Sequence, residues 1–260
     1  MADTTDENIR RRHIERQRRR IRQMKRRRVF TMSLLVLIAV LIIIFFTPIF
    51  KIRRVEVVGN VRVAVADIEG KMDNCIGKNI FRYRTGTPIK NIKTIPYIET
   101  AQIGKSIFSC KLTVNVTECV PAAYIEAGEK NIVIDSKLKV LEVTDSVDSD
   151  IPKITDISAL DVNLGNTIGI QGDETLNAVK TALPVIEAEG LLEGIEYISF
   201  KDVNNITFNY QNRLDVICGD ITDFQKKIKL FNQAINTNTL TENSRGTIDL
   251  SVSNQAVYSP

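Results

Sequence analysis

At 260 residues, 43% hydrophobic and 25% charged, the chain has the composition of a folded protein of one or two domains. Its net charge of +4 hides a sharp division: residues 1–28 hold 12 of the 35 Lys and Arg against four acids, residues 29–50 hold no charge, and the remaining 210 carry 23 basic and 27 acidic side chains. This excludes a nucleic-acid binder with charge spread over its fold, and the uncharged block excludes an ordinary soluble enzyme.

The basic tail, RRRHIERQRRRIRQMKRRR, contains the only histidine, His13, and no aromatic residue on which a base could stack. Beside an apolar block it is a topology signal and a patch for anionic lipid headgroups, not a nucleic-acid site. The block itself, Val29–Phe50, spans 22 residues, about 33 Å as a helix against a hydrocarbon core of roughly 30 Å. It is longer than a signal-peptide core, and no small-x-small cleavage site follows. Twelve basic residues precede it, and only Lys51, Arg53 and Arg54 follow closely. The reading is an uncleaved signal anchor with the N-terminus in the cytoplasm and residues 51–260 outside.

Residues 52–58 read as a strand ending at Gly59-Asn60. Val65, Ile68, Met72 and Cys75/Ile76 then stand at helical spacing until Gly77-Lys78-Asn79. A second helix is expected from Thr87 as N-cap, with Pro88 in its first turn, Ile89 and Ile92 facing the core, and Pro96 as its stop. Two strands follow, Ile98–Ile107 and Lys111–Glu118; the latter alternates Leu112, Val114 and Val116 with Thr113, Asn115 and Thr117, the pattern of a half-buried strand. The order is β-α-α-β-β within about 70 residues, a common size for a small module.

From Ala122 short apolar runs (AAYIEA, NIVID, KVLEV) alternate with the turns Gly128-Glu129 and Ser136-Lys137, which predicts an antiparallel meander. An acidic link with Asp145, Asp148 and Asp150 leads to a helix over 174–188, where Pro184 would kink it or end its regular part. Strands are expected over 195–200, 205–210 and 214–218. An amphipathic helix over 223–236 and a last strand, GTIDLSVS at 246–253, complete the chain.

The four cysteines, at 75, 110, 119 and 218, form no C-x-x-C pair, so a zinc site has no support. Cys110 and Cys119 bracket one strand about 30 Å long and cannot join each other. Cys75–Cys110 and Cys119–Cys218 stay open as pairings beside four separate buried thiols. There is no histidine after the apolar block, no G-x-S-x-G and no phosphate-binding loop. Glu118, Asp135, Asp215 and Asp249 stand near strand ends, where acids serve turn chemistry. Neither a catalytic residue, a metal site, a cofactor nor a small-molecule substrate is expected.

The element order directly after a signal anchor, together with VEVVGN, GKNIF, LTVNVTECVPAAY, VIDSKLKVL and TIDL, resembles the FtsQ/DivIB family of bacterial cell-division proteins. The chain departs from the family in having Val63-Ala64-Val65 where Ser or Thr usually caps the first helix, and Cys119 where an Arg usually follows the strand-ending Glu. The resemblance implies an α+β fold: a basic tail (1–28), a transmembrane anchor (29–50), a POTRA domain (51–121), a mostly antiparallel β domain with two helices (122–253), and a C-terminal tail (254–260). It implies a non-enzymatic divisome scaffold at the septum that binds FtsB/DivIC-type and FtsL-type proteins outside the membrane. The expected mode is strand addition at a C-terminal edge strand. The resemblance carries the contact to Thr247, Asp249, Leu250, Ser251, Val252, Ser253 and Asn254, with Tyr258 as a nearby aromatic anchor. The rival reading is a signal-anchored binding or sensor protein unrelated to division.

Overall fold

The computed structural model describes residues 25–40, 42–43, 48–237, 243–252 and 255–260. The tail to residue 24, His13 included, and positions 41 and 44–47 of the apolar block lie outside the described residues. Residues 25–40 form a helix, α1, exposed along its whole length. Among the described residues no helix is long and apolar enough to cross a membrane.

The expected β-α-α-β-β order follows: β1 (Arg54–Val58), α2 (Val65–Gly70), α3 (Gly86–Ile92), β2 (Ile98–Ser106) and β3 (Lys111–Glu118). The three strands form one sheet in the order β1-β3-β2. Leu112, Val114 and Val116 of β3 are buried as their alternation predicts. Two helix boundaries differ from expectation. Helix α2 stops at Gly70, not near residue 76, because glycine and the Asp73-Asn74 pair are poor helix formers; Met72 and Cys75 are still buried, carried inward by turns. Helix α3 begins at Gly86 with Thr85 at its cap position, so Thr87 lies inside its first turn. Pro88 keeps a first-turn place, where a missing N–H costs nothing.

The rest of the chain builds a nine-stranded sheet. Its strands are β4 (Ala123–Ala127), β5 (Lys130–Ile134), β6 (Val140–Thr144), β7 (Lys153–Thr155), β10 (Ile195–Ser199), β11 (Ile206–Tyr210), β12 (Leu214–Gly219), β13 (Gly246–Asp249) and β14 (Val257–Ser259). Their spatial order is β14-β13-β12-β11-β10-β7-β4-β5-β6. A separate small ladder pairs β8 (Ala159–Leu160) with β9 (Gly169–Ile170). The meanders β4-β5-β6 and β10-β11-β12 are antiparallel, as expected. The short β7, which sequence patterning leaves in the acidic link, runs parallel to both β4 and β10 and joins the two meanders. Helices α4 (Asp173–Ala188) and α5 (Phe224–Asn236) supply Val179, Leu183, Ile186, Ile228 and Phe231 to a core with Ile125, Ile154, Ile198, Phe208 and Val216 from the sheet. Pro184 does not end α4, which continues to Ala188.

The described chain divides into two compact units. One comprises residues up to 55 together with 74–84 and 105–112; the other comprises 56–73, 85–104 and 113–260. In the first, the amide of Ile52 donates to Lys78 O, that of Ile80 to Phe50 O and that of Arg53 to Cys110 O, each at 2.9 Å. Phe50 meets Phe81 edge-on at 5.2 Å. All four cysteines are buried free thiols.

In the second unit, Glu118 at the end of β3 receives the amides of Val61 at 2.9 Å, Arg62 at 2.8 Å and Val63 at 3.0 Å. One carboxylate thereby closes the loop between β1 and α2. Gly59 in that loop has φ +92, and a Cβ there would lie 2.2 Å from Val116 O, so only glycine permits the approach. The chain passes from Glu118 through four residues into β4, and the junction is tied on both sides. Cys119 N donates to Tyr97 O at 2.7 Å, Tyr97 Oη to Glu142 Oε2 at 2.8 Å, and Lys139 Nζ to Ile98 O at 2.8 Å. Lys137 pairs with Glu99.

Burial pushes the Glu118 carboxyl up, but the three amides outweigh it and hold the group below its ordinary range. Glu118→Ala is expected to cost about 1–2 kcal/mol, since the freed amides lie where water reaches them. The Glu118 contribution is full above the unfolded carboxyl value of about 4.3 and disappears as pH falls through the lower folded value. Urea melts of the two proteins across that acid range should therefore converge; a constant gap would refute the assignment.

Candidate partner-binding edge

The last strand expected from sequence, 246–253, is not the sheet edge. Only Gly246–Asp249 forms a strand, β13, and it lies between β12, to which it is parallel, and β14, to which it is antiparallel. Leu250 is fully buried, and its amide still donates to Ile217 O at 2.7 Å. The chain then leaves the sheet, and Gln255 N donates to Val252 O at 3.2 Å. Of the expected contact residues, Thr247 and Asp249 are half-buried in β13, and Ser251 and Val252 are exposed beyond it. Ser253 and Asn254 lie outside the described residues. Tyr258 is in β14, the true edge strand, and is 41% exposed.

Register decides what that edge offers. The amides of Gly246 and Leu250 point at β12, donating to Arg213 O and Ile217 O. Alternation along the strand turns Thr247 and Asp249 the other way, toward their partners Ser259 and Val257. Tyr258, between those partners, presents its own N–H and C=O to the open side. Its ring is held in place by Oη donating to Arg245 O at 2.7 Å. At the opposite end of the sheet a loop covers the start of β6: Val140 N donates to Asn166 O and Ile168 N to Leu138 O, both at 2.8 Å.

Two glycines admit this hairpin. Gly246 has φ +134, and a Cβ there would sit 2.2 Å from Ser259 O; at Gly219 a Cβ would sit 3.1 Å from Ser251 Cα. Asp249 Oδ1 accepts the Ser251 amide at 2.8 Å. The Ser251 hydroxyl and amide together hold the Asp249 carboxyl below its usual range. Behind the edge, Lys227 of α5 is 2% exposed and donates to Asp220 O at 2.9 Å and Oδ1 at 3.1 Å. Those bonds, the Lys227 one foremost, lower the Asp220 carboxyl. Burial pushes the nearby Cys218 thiol up to about 12, so it stays protonated and inert.

The other carboxylates named from sequence are engaged in turns and ladders. Asp135 accepts the amides of Lys137 and Lys139 at 2.9 and 2.8 Å, and Asp215 accepts Asn209 Nδ2 at 2.8 Å. What sequence reasoning missed is β14. The available signal was the Ser253-Asn254 turn pair followed by the alternating Val257-Tyr258-Ser259, a weak one for three residues.

Gly246→Ala is expected to displace β14 by forcing a Cβ into Ser259 O, with faster hydrogen exchange at Val257 and Ser259 and unchanged exchange in β11 and β12. Asp220→Ala is expected to leave the buried Lys227 ammonium with the residue-220 carbonyl alone and cost about 2 kcal/mol, whereas Lys227→Met should stay within about 1 kcal/mol of the parent. Equal losses in the two variants, measured by urea unfolding, would contradict this account.

The FtsQ-type POTRA domain family matches residues 50–118. The chain is 29% identical over 196 residues to cell division protein DivIB of Clostridium tetani, covering 75% of this chain and 73% of that one. It is 25% identical over 190 residues to cell division protein FtsQ of Corynebacterium glutamicum, covering 71% and 78%. The solved major extracytoplasmic domain of the trans isomer of DivIB from Geobacillus stearothermophilus aligns at 15% identity and a TM-score of 0.32, covering 48% of this chain and 99% of that one.

Proposed function

Since the chain carries an FtsQ-type POTRA domain and is a homologue of the DivIB and FtsQ cell division proteins, we propose that it is a non-enzymatic scaffold of the division machinery. In this reading residues 29–50 anchor it in the cell membrane, with the basic tail, 1–28, in the cytoplasm against anionic lipids. A POTRA domain (51–121) and a β domain that starts at 122 and runs past its expected end at 253 to include β14 stand outside, at the septum. Support for the anchor is the charge-free 22-residue block and the exposure of its described helical part, where Phe30 and Leu35 are 68% and 65% exposed with no protein covering them.

The partner is an extended segment of an FtsB/DivIC-type protein, which brings an FtsL-type protein with it. It adds antiparallel or parallel to β14, taking main-chain hydrogen bonds from the outward N–H and C=O of Tyr258. The observation that carries this reading is the open side of β14, where no loop pairs with Tyr258 among the described residues. Val257, 56% exposed, supplies apolar surface beside it. The contact thus shifts from Ser251–Asn254 toward Val257–Ser259, while Thr247 and Asp249 support it from behind. Val252 lies past the end of β13, outside the ladder.

The test is in-cell crosslinking from a photoreactive residue at position 256, with mass spectrometry of the captured species, in the parent and in Tyr258→Pro. Proline removes the outward donor and leaves the β13 pairing of Val257 and Ser259 in place. Capture of a small single-pass partner, reduced about tenfold in the variant, is expected. Undiminished capture in the variant would exclude strand addition at β14.

A further inference from the structure

Charge outside the apolar block is not evenly shared between the two compact units. The segments 48–55, 74–84 and 105–112 hold eight of the 23 basic residues that follow the block and none of the 27 acids. The other unit is left with 15 basic and 27 acidic side chains. Lys51, Arg53 and Arg54 come from the first segment and Lys78, Arg82 and Arg84 from the second, all exposed. Lys105 and Lys111 flank the third. The backbone bonds joining Ile52 to Lys78 and Arg53 to Cys110 hold the three segments together.

Two further features belong to the same unit. Lys78, Asn79, Arg82 and Tyr83 line a hollow of about 300 Å³, in which Lys78 Nζ lies 5.9 Å from the centre of the Tyr83 ring. The turn between β2 and β3 carries Phe108 at 104% exposure, preceded by Ile107, while Ile49 and Ile76 are 62% and 53% exposed. A cationic surface with a bare aromatic tip matches an anionic lipid interface, where phosphate meets the cations and the ring enters the acyl boundary. A soluble polyanion would satisfy the cations but leave the tip in water. The surface is also continuous in sequence with the apolar block, through Pro48–Phe50.

We propose that this unit docks on the outer face of the membrane, with Lys78 and Arg82 binding the phosphate of an anionic phospholipid and Phe108 seated at the headgroup boundary. The proposal rests on the anchor reading above and assigns a second, opposite contact: the basic tail engages the inner leaflet, this unit the outer. The acid-rich unit has no attraction for the same lipids, so the interaction is confined to the segments next to the anchor.

The chain contains no tryptophan, so Phe108→Trp in the full-length protein creates a single emitter at the tip. The variant is reconstituted in vesicles of phosphatidylcholine alone, or with about one-third phosphatidylglycerol, each carrying brominated acyl chains as quenchers. Blue-shifted emission with quenching about fivefold stronger in the anionic vesicles is expected, lost at high salt and in a Lys78→Gln/Arg82→Gln background. Equal quenching in both vesicles, or quenching that survives the double substitution, would overturn headgroup recognition. A response to soluble poly(glycerol phosphate) with none to vesicles would replace the membrane by a polymer and overturn the proposal. Flotation with neutral vesicles at high salt reads the anchor separately. Chain that floats while the indole emission stays red in anionic vesicles refutes docking alone, and chain that fails to float removes the anchor reading and docking together.

Discussion

A single carboxylate at the end of β3 organises what precedes and follows it. Glu118 collects the amides of Val61, Arg62 and Val63, three donors that the loop itself cannot satisfy because it turns too tightly to pair within the backbone. The same residue ends β3, four residues short of β4. The loop that leads into α2 and the point where the chain enters β4 are therefore fixed together. Around that point Tyr97, Ile98 and Glu99 meet Glu142, Lys139 and Lys137, so the three-stranded sheet and the first meander are held by polar contacts on both sides of one short link.

Beyond the link, the sheet is one surface because two short parallel strands fill gaps that hairpins leave. β7 joins the two antiparallel meanders, and β13 extends the second by running parallel to β12. A strand of three or four residues contributes little by itself; Ile154 and Ile248 hold their places through burial, each almost wholly removed from solvent. The core therefore decides the topology here more than local hairpin preference does. The consequence for function is the position of the edge. Because β13 is interior, the main-chain groups available to a partner belong to β14.

How much of this was legible depends on the length of each signal. The eight-residue alternation of β3, the meander β4-β5-β6 and the apolar face of α5 were plain from residue periodicity, and the structure has them within a residue or two. Lys227 was not. On the helical wheel it belongs with Phe224, Ile228 and Phe231, an unusual place for a lysine until Asp220 is seen to receive it. Likewise Asp135 and Asp249 read as generic strand-end acids, yet each closes a particular turn through neighbouring amides.

The charge-free block, the order of the elements and the faces of the longer ones can be read from residue order alone, because hydrophobic periodicity and turn residues act over a few neighbours. The sequence also carries the likeness to the division proteins in its ordered set of short motifs. Where the nine-stranded sheet ends, that β7 bridges its halves, and that the eight cations of 48–55, 74–84 and 105–112 fall in one compact unit came only with the packing of the whole chain. Those are matters of which distant segments pair. Strand pairing depends on registers and on burial summed over the whole core, and a three-residue strand such as β14 has no periodicity long enough to announce either.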